Sequence, residues 1–192
     1  MKIIPITLLF SCLLQIAGCS SDEKIPLVPV NELELITTVK MTFTPQSGGS
    51  DVVLQYKDLD GEGGNAPIIT ASKPFEQSKI YNGMISLKND LANPPIDITT
   101  EIISEALEHQ FFYQTTGNIP PFKYANVPSN FDSNGKPLGI QSTITTTTAA
   151  AGKLQLTLRH GPNKSGINVS NGTIDNAGGA TDIEVRFDII VE

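Results

Sequence analysis

A short acidic segment has the composition of a calcium-binding loop. It runs Asp-Leu-Asp-Gly-Glu-Gly-Gly-Asn, and its oxygen-bearing side chains are Asp58, Asp60, Glu62 and Asn65. Calcium takes six to eight oxygen ligands, and closely spaced carboxylates on a glycine-containing turn can supply several of them. The spacing matches the opening of an EF-hand, but the twelfth position is Ile69, which cannot close the loop with a carboxylate. The segment therefore predicts either a calcium loop between strands or an acidic turn.

The two histidines are the second candidate for metal binding. His109 lies where a predicted helix meets a predicted strand, and His160 directly follows a predicted strand. If both lie at strand ends they can approach each other, and with Glu108 or Glu105 they would form a two-histidine, one-carboxylate site for zinc or another transition metal. Their separation along the chain matches no ligand motif. The alternative is two unrelated histidines, one bonded to the backbone and one exposed.

Catalytic motifs are missing from the sequence. It contains no Gly-x-Ser-x-Gly, no His-Glu-x-x-His and no phosphate-binding glycine loop. The 20 acidic residues outnumber the 13 basic ones, for a net charge of −7, which argues against nucleic acid as a partner because phosphate binding needs clustered Lys and Arg. These features predict a protein that is not an enzyme and that requires no cofactor, with calcium or zinc as the two candidate metals.

The N-terminus predicts an exported and lipidated protein. Lys2 is followed by an apolar run over 3–16, which is too short to span a bilayer and has the length of a signal-peptide core. The run ends at Ile-Ala-Gly-Cys, which resembles a bacterial lipobox. We therefore expect residues 1–18 to be a signal peptide and Cys19 to be the lipidated residue. Residues 19–31 then form a polar, proline-containing tether.

The remaining chain, residues 32–192, predicts a single all-β domain. Apolar and polar residues alternate with period two in about nine short segments separated by turn residues, as in an immunoglobulin-like antiparallel β-sandwich. One segment, 97–108, has apolar residues at helical spacing and predicts a short inserted α-helix. Residues 161–181 are rich in Gly and Asn and predict a long exposed loop. The predicted strands cover residues 33–43, 51–56, 67–71, 80–88, 111–115, 121–125, 140–147, 154–159 and 183–191.

Four stretches of the chain resemble a group of small flavobacterial lipoproteins of the Bacteroidota. They are Leu-Ile-Thr-Thr-Val at 35–39, the acidic segment at 58–67, Glu-His-Gln-Phe-Phe at 108–112 and Leu-Arg-His-Gly-Pro-Asn-Lys at 158–164. Members of this group are often described by a type 1 periplasmic binding fold, which is a larger α/β domain than the strand-rich pattern here predicts. The resemblance implies a role beside TonB-dependent outer-membrane receptors, as an accessory to uptake.

Together these features predict an outer-membrane lipoprotein, anchored through Cys19 and exposed at the cell surface. We expect a non-catalytic binding or accessory module, with a membrane receptor as partner and the loops 58–66 and 161–181 as contact surface. Two alternatives stay open. One is a metal-binding lipoprotein, and the other is a structural or adhesive envelope protein.

Overall fold

Ten β-strands and one α-helix form the regular structure of the computed structural model, which describes residues 34–61 and 64–192. The strands are β1 (Thr38–Pro45), β2 (Val52–Lys57), β3 (Ile68–Ala71), β4 (Ile80–Asn89), β5 (Ile96–Asp97), β6 (His109–Thr115), β7 (Lys123–Tyr124), β8 (Gln141–Thr145), β9 (Ala150–His160) and β10 (Ala180–Val191). The helix is α1 (Ile98–Ser104), and two short 3₁₀ helices span Pro128–Asn130 and Val169–Asn171.

The strands form two antiparallel sheets. The larger sheet has the order β3-β2-β1-β4-β8-β7, with β5 added to β4, and the smaller sheet has the order β10-β9-β6. Strands make up 45% of the structure and helices 9%, which confirms the predicted all-β sandwich with one short helix. The sheet order brings the start of β6, the end of β9 and the start of β10 to one end of the smaller sheet.

The period-two pattern places the core between the sheets. In β1, Val39, Met41 and Phe43 are buried while Lys40 and Thr44 are exposed, because successive side chains point to opposite faces of a strand. Leu156 and Phe187 of the smaller sheet belong to the same core. Burial of each such side chain stabilises the fold by about 1.5–3 kcal/mol.

Helix α1 is shorter than the segment predicted for it. It begins after Asp97, whose side chain accepts a hydrogen bond from the backbone N–H of Thr99 at 2.9 Å and so caps the first turn. Ile98 and Ile102 are buried on its inner face. Residues 105–108 form turns rather than helix, and these turns lead the chain directly into β6 at His109.

The segment predicted as a long exposed loop, 161–181, is exposed over much of its length, but three of its residues are buried. Val169 and Ala177 are fully buried in a small cluster with Phe112. Phe112 lies on the face of β6 opposite to the core residue Phe111, so the loop folds over that face and removes the ring from water. The buried ammonium of Lys164 holds the loop in place by donating to a carboxylate oxygen of Asp132 at 3.0 Å.

Several N-terminal predictions lie outside the described residues. The signal peptide at 1–18, the lipidated Cys19 and the tether at 19–31 are all among them. Within residues 34–61 and 64–192, no helix has the length and apolar character needed to cross a membrane.

Two neighbouring isoleucines of α1 test the packing of the helix. We expect Ile102→Ala to lower the free energy of unfolding by about 2–5 kcal/mol, because Ile102 is fully buried and its truncation leaves a cavity. Ile103→Ala is the matched control, since Ile103 is 48% exposed and its loss should change stability by about 0.5 kcal/mol or less. Urea unfolding of both variants measures the difference, and equal effects would contradict the described packing.

Candidate metal site

Antiparallel pairing of β6 and β9 brings the two histidines together. His109 is the first residue of β6 and His160 is the last residue of β9, and the two are direct partners in the ladder. Their ring centroids lie 4.6 Å apart with the planes inclined at 79°. His109 is fully buried, and the side chain of His160 is 18% exposed. The two histidines are therefore in contact at one end of the smaller sheet, and His109 is buried there.

A β-bulge places the first carboxylate at the histidine pair. The register between β9 and β10 shifts between Thr181 and Ile183, so Asp182 is the extra residue. A bulge interrupts the alternation of side chains and can redirect one of them to the other face. The Asp182 side chain is fully buried, and its Oδ2 lies 3.5 Å from Nε2 of His109.

The second carboxylate comes from the segment that leads into β1. Glu34 lies four residues before β1 and belongs to neither sheet. Its side chain is 8% exposed, and its Oε1 lies 3.2 Å from Nε2 of His109 and 3.9 Å from Nδ1 of His160. The smaller sheet and the segment before β1 thus meet at one group of polar side chains.

The four residues have the geometry of a metal site. Glu34, His109, His160 and Asp182 each offer one ligand atom, and these atoms lie within 4.8 Å of one another. Zinc bonds of 2.0–2.2 Å in a tetrahedron require ligand atoms about 3.3–3.6 Å apart. The separations of 3.2 and 3.5 Å from Nε2 of His109 lie close to that requirement, whereas the 3.9 Å between Oε1 of Glu34 and Nδ1 of His160 exceeds it.

The buried donor atoms of this cluster have no hydrogen-bond partner among the described residues. They are Oε2 of Glu34, Nε2 of His109, Nδ1 of His160 and both carboxylate oxygens of Asp182. Buried polar atoms are almost always hydrogen-bonded, since leaving one unpaired costs about 1–3 kcal/mol. Five such atoms at one place fit a cation as their common partner.

In each ring, the nitrogen that points away from the cluster (the outer nitrogen) faces a residue in the turns that follow α1. Nδ1 of His109 lies 3.2 Å from the carbonyl oxygen of Glu105, and Nε2 of His160 lies 3.6 Å from Oε2 of Glu108. A carbonyl oxygen only accepts, so Nδ1 of His109 must carry the proton of that hydrogen bond. In a neutral imidazole this leaves the lone pair on Nε2, which points into the cluster.

Glu108 is therefore not placed as the ligand that the sequence predicts. Its carboxylate is 65% exposed and contacts the nitrogen of His160 that faces away from the cluster. Glu34 and Asp182 supply the carboxylates instead. The carboxylate of Glu105 likewise lies beside a ring nitrogen that faces away from the cluster, 3.8 Å from Nδ1 of His109.

The carboxyl group of Asp182 titrates abnormally in this environment. Its pKa is raised to about 7, first because burial disfavours the charged form and then because of the negative charge of Glu34. Glu105 adds a smaller effect in the same direction. The cluster is thus a desolvated, electronegative position that favours positive charge.

The acidic segment uses its described carboxylates within its own turn. Oδ1 of Asp58 accepts from the backbone N–H of Gly61 at 2.9 Å, and Oδ2 of Asp60 accepts from the side chain of Asn65 at 2.6 Å. The hydrogen bonds from Asn65 lower the pKa of Asp60. Glu62 lies outside the described residues. Asp58, Asp60 and Asn65 therefore form hydrogen bonds within an acidic turn. Calcium binding at this segment stays a prediction.

Comparison with known proteins gives no family. No family model matches the chain, and neither a curated protein nor a solved structure matches it at a significant level.

The raised pKa of Asp182 makes the metal-free protein less stable as the pH rises. In the unfolded chain this carboxyl loses its proton near pH 4, whereas in the folded protein it keeps the proton until about pH 7. Its contribution to stability is therefore complete below pH 4 and is lost as the pH rises toward 7. We expect the stability difference between Asp182→Asn and the parent protein, measured with a chelator present, to move in favour of the variant between about pH 4 and pH 7.

Asp188→Asn is the matched control for this pH dependence. Asp188 lies on the same strand, but its side chain is 80% exposed and pairs with Lys153. Its stability relative to the parent should stay nearly constant over the same pH range. Parallel curves for Asp182→Asn and the parent protein would show that Asp182 titrates normally.

Proposed function

We propose that this protein binds a divalent transition metal, with zinc as the best fit, through Glu34, His109, His160 and Asp182. The single observation that carries the proposal is the convergence of four buried or largely buried side chains, each with at least one buried polar atom that makes no hydrogen bond with a described residue. Two imidazoles with two carboxylates form a donor set that suits zinc and its neighbours in the first transition row.

The donor set favours a transition metal over calcium. Calcium prefers six to eight oxygen ligands and is seldom bound through imidazole nitrogen. Here two of the four ligands are nitrogens, and each is held by a contact on the opposite side of its ring. Such contacts fix the ring orientation and make the metal-facing nitrogen a better ligand.

The number of ligands supports binding rather than catalysis. Catalytic zinc sites use three protein ligands and keep a fourth position for water or substrate, whereas structural sites use four. With all four positions supplied by side chains, a tetrahedral ion would have no position left for a substrate. The proposed activity is therefore retention of the metal.

The cellular context of this metal binding comes from the N-terminal sequence. A lipid on Cys19 would hold the site at the outer membrane, where a metal-binding module could serve an uptake receptor. The lipid, the receptor and the surface location are proposals that depend on sequence pattern and resemblance alone.

A zinc titration tests the proposal directly. We expect one zinc ion to bind the full chain in detergent and to raise its melting temperature, because a ligand that binds only the folded state adds about 2.7 kcal/mol at a concentration one hundred times its Kd. His160→Ala should abolish the shift at the same zinc concentration, since it removes one of four ligands. Isothermal calorimetry gives the stoichiometry, and differential scanning calorimetry gives the shift.

Glu108→Gln is the control that separates the two carboxylate positions. It removes a negative charge beside His160 but leaves Glu34 and Asp182 in place, so zinc should still bind with the same stoichiometry and a weaker affinity. Equal zinc binding by the parent and by His160→Ala would contradict the proposal. If calcium raised the melting temperature of the parent protein but not of Asp60→Asn, the metal site would be the acidic segment instead.

A further inference from the structure

We infer that metal binding at this cluster fastens the N-terminal segment 34–37 to the smaller sheet, so that metal occupancy controls how firmly the chain before β1 is held. The inference rests on the proposed function and adds a consequence to it. A site that fastens a chain segment differs from one that only stores an ion, because the ion then changes the structure of the protein around it.

Three of the four ligands are parts of one rigid unit. His109, His160 and Asp182 lie on β6, β9 and β10, which are consecutive neighbours in the smaller sheet. The ladder pairs His109 with His160, and it pairs His160 with Ala180, two residues before Asp182. Backbone hydrogen bonds therefore fix His109 and His160 relative to each other, and the paired residues Thr181 and Ile183 hold the strand on either side of Asp182, whether or not a metal is bound.

Glu34 is the exception among the ligands. It lies in the segment that enters β1, and β1 belongs to the other sheet. The residue is not part of any ladder. A metal bound to all four side chains would consequently connect the larger sheet's entry segment to the end of the smaller sheet.

The backbone of this segment is held at only one end. Thr37 donates its N–H to the carbonyl of Lys88 at 2.9 Å, and its carbonyl accepts from the N–H of Asp58 at 2.8 Å. Glu34, Leu35 and Ile36 make no backbone hydrogen bond with any other described residue.

The side chains before Thr37 give the segment little other support. Leu35 is 55% exposed, while Ile36 is 9% exposed and packs on the core. The Glu34 carboxylate is the polar link from the segment to the smaller sheet, and it faces another acidic side chain, Asp182. Two buried carboxylates repel each other, and a divalent cation between them reverses the sign of that interaction.

Hydrogen exchange with zinc tests the inference on the full chain in detergent. We expect saturating zinc to slow exchange of the amides at 34–36 at least tenfold in the parent protein, measured by rapid-quench mass spectrometry. Amides in the middle of β4 serve as an internal reference, because they are protected by the ladder at all times. Zinc binding is followed by calorimetry on the same samples.

A pair of charge-neutralising variants supplies the contrast. Glu34→Gln should bind zinc more weakly, because it loses one of four ligands. At the higher zinc concentration that calorimetry shows to saturate the three ligands of the smaller sheet, zinc should no longer slow exchange at 34–36. Glu108→Gln also removes one negative charge next to the cluster and leaves Glu34 intact, so the protection should persist.

The outcomes distinguish this inference from the proposed function. Zinc binding by the parent without slower exchange at 34–36 would overturn the inference and leave the metal site standing. Equal zinc-dependent protection in Glu34→Gln would also overturn it. Absence of zinc binding by the parent would overturn both.

Discussion

The end of the sandwich is organised by the burial of two carboxylates beside two imidazoles. Glu34 and Asp182 are both removed from water, and both lie against Nε2 of His109, which is itself fully buried. Isolated charges at such a position are strongly unfavourable, so the four side chains require either protons or a cation to balance them. A divalent metal meets that requirement with one ion, because it pairs with both carboxylates and accepts both nitrogen lone pairs.

Two irregular features of the backbone at this end of the sandwich position side chains of the cluster. The bulge at Asp182 leaves a residue out of the β9–β10 ladder, and it also turns that side chain toward His109. The turns after α1 shorten the helix, and they bring the carbonyl of Glu105 against the outer nitrogen of the same ring. Three strands thus position His109, His160 and Asp182, and the turns after α1 orient the His109 ring. Glu34 lies outside both sheets.

Sequence reasoning predicted the fold and the proximity of the two histidines for identifiable reasons. The strands were predictable because burial between two sheets imposes a period of two, and Val39, Met41 and Phe43 show that pattern directly. The two histidines were predictable as neighbours because both fall at predicted strand ends. The short helix was predictable from its Asp97 cap and apolar spacing, although its last turn was not, since β6 begins at His109.

The carboxylates of the site were not predictable in the same way. Asp182 stands in a run that alternates like an ordinary strand, and only the bulge gives its side chain an inward direction. Glu34 is far from the other ligands in sequence and has no local motif, so only the tertiary structure brings it to His109. Glu108 was chosen because it adjoins His109 in sequence, yet it lies in the turn before β6, and its exposed carboxylate contacts the outer nitrogen of His160. The composition of 161–181 is typical of exposed loops, and the burial of Val169 and Ala177 was not predictable because it depends on packing against Phe112, which is distant in sequence.

X-ray absorption at the zinc edge is the most direct test of the metal centre. The full chain loaded with one equivalent of zinc should show four nitrogen or oxygen neighbours at about 2.0–2.2 Å, with the outer-shell scattering of two imidazoles. A spectrum with six oxygen neighbours and no imidazole, or with sulfur at about 2.3 Å, would contradict a site built from Glu34, His109, His160 and Asp182.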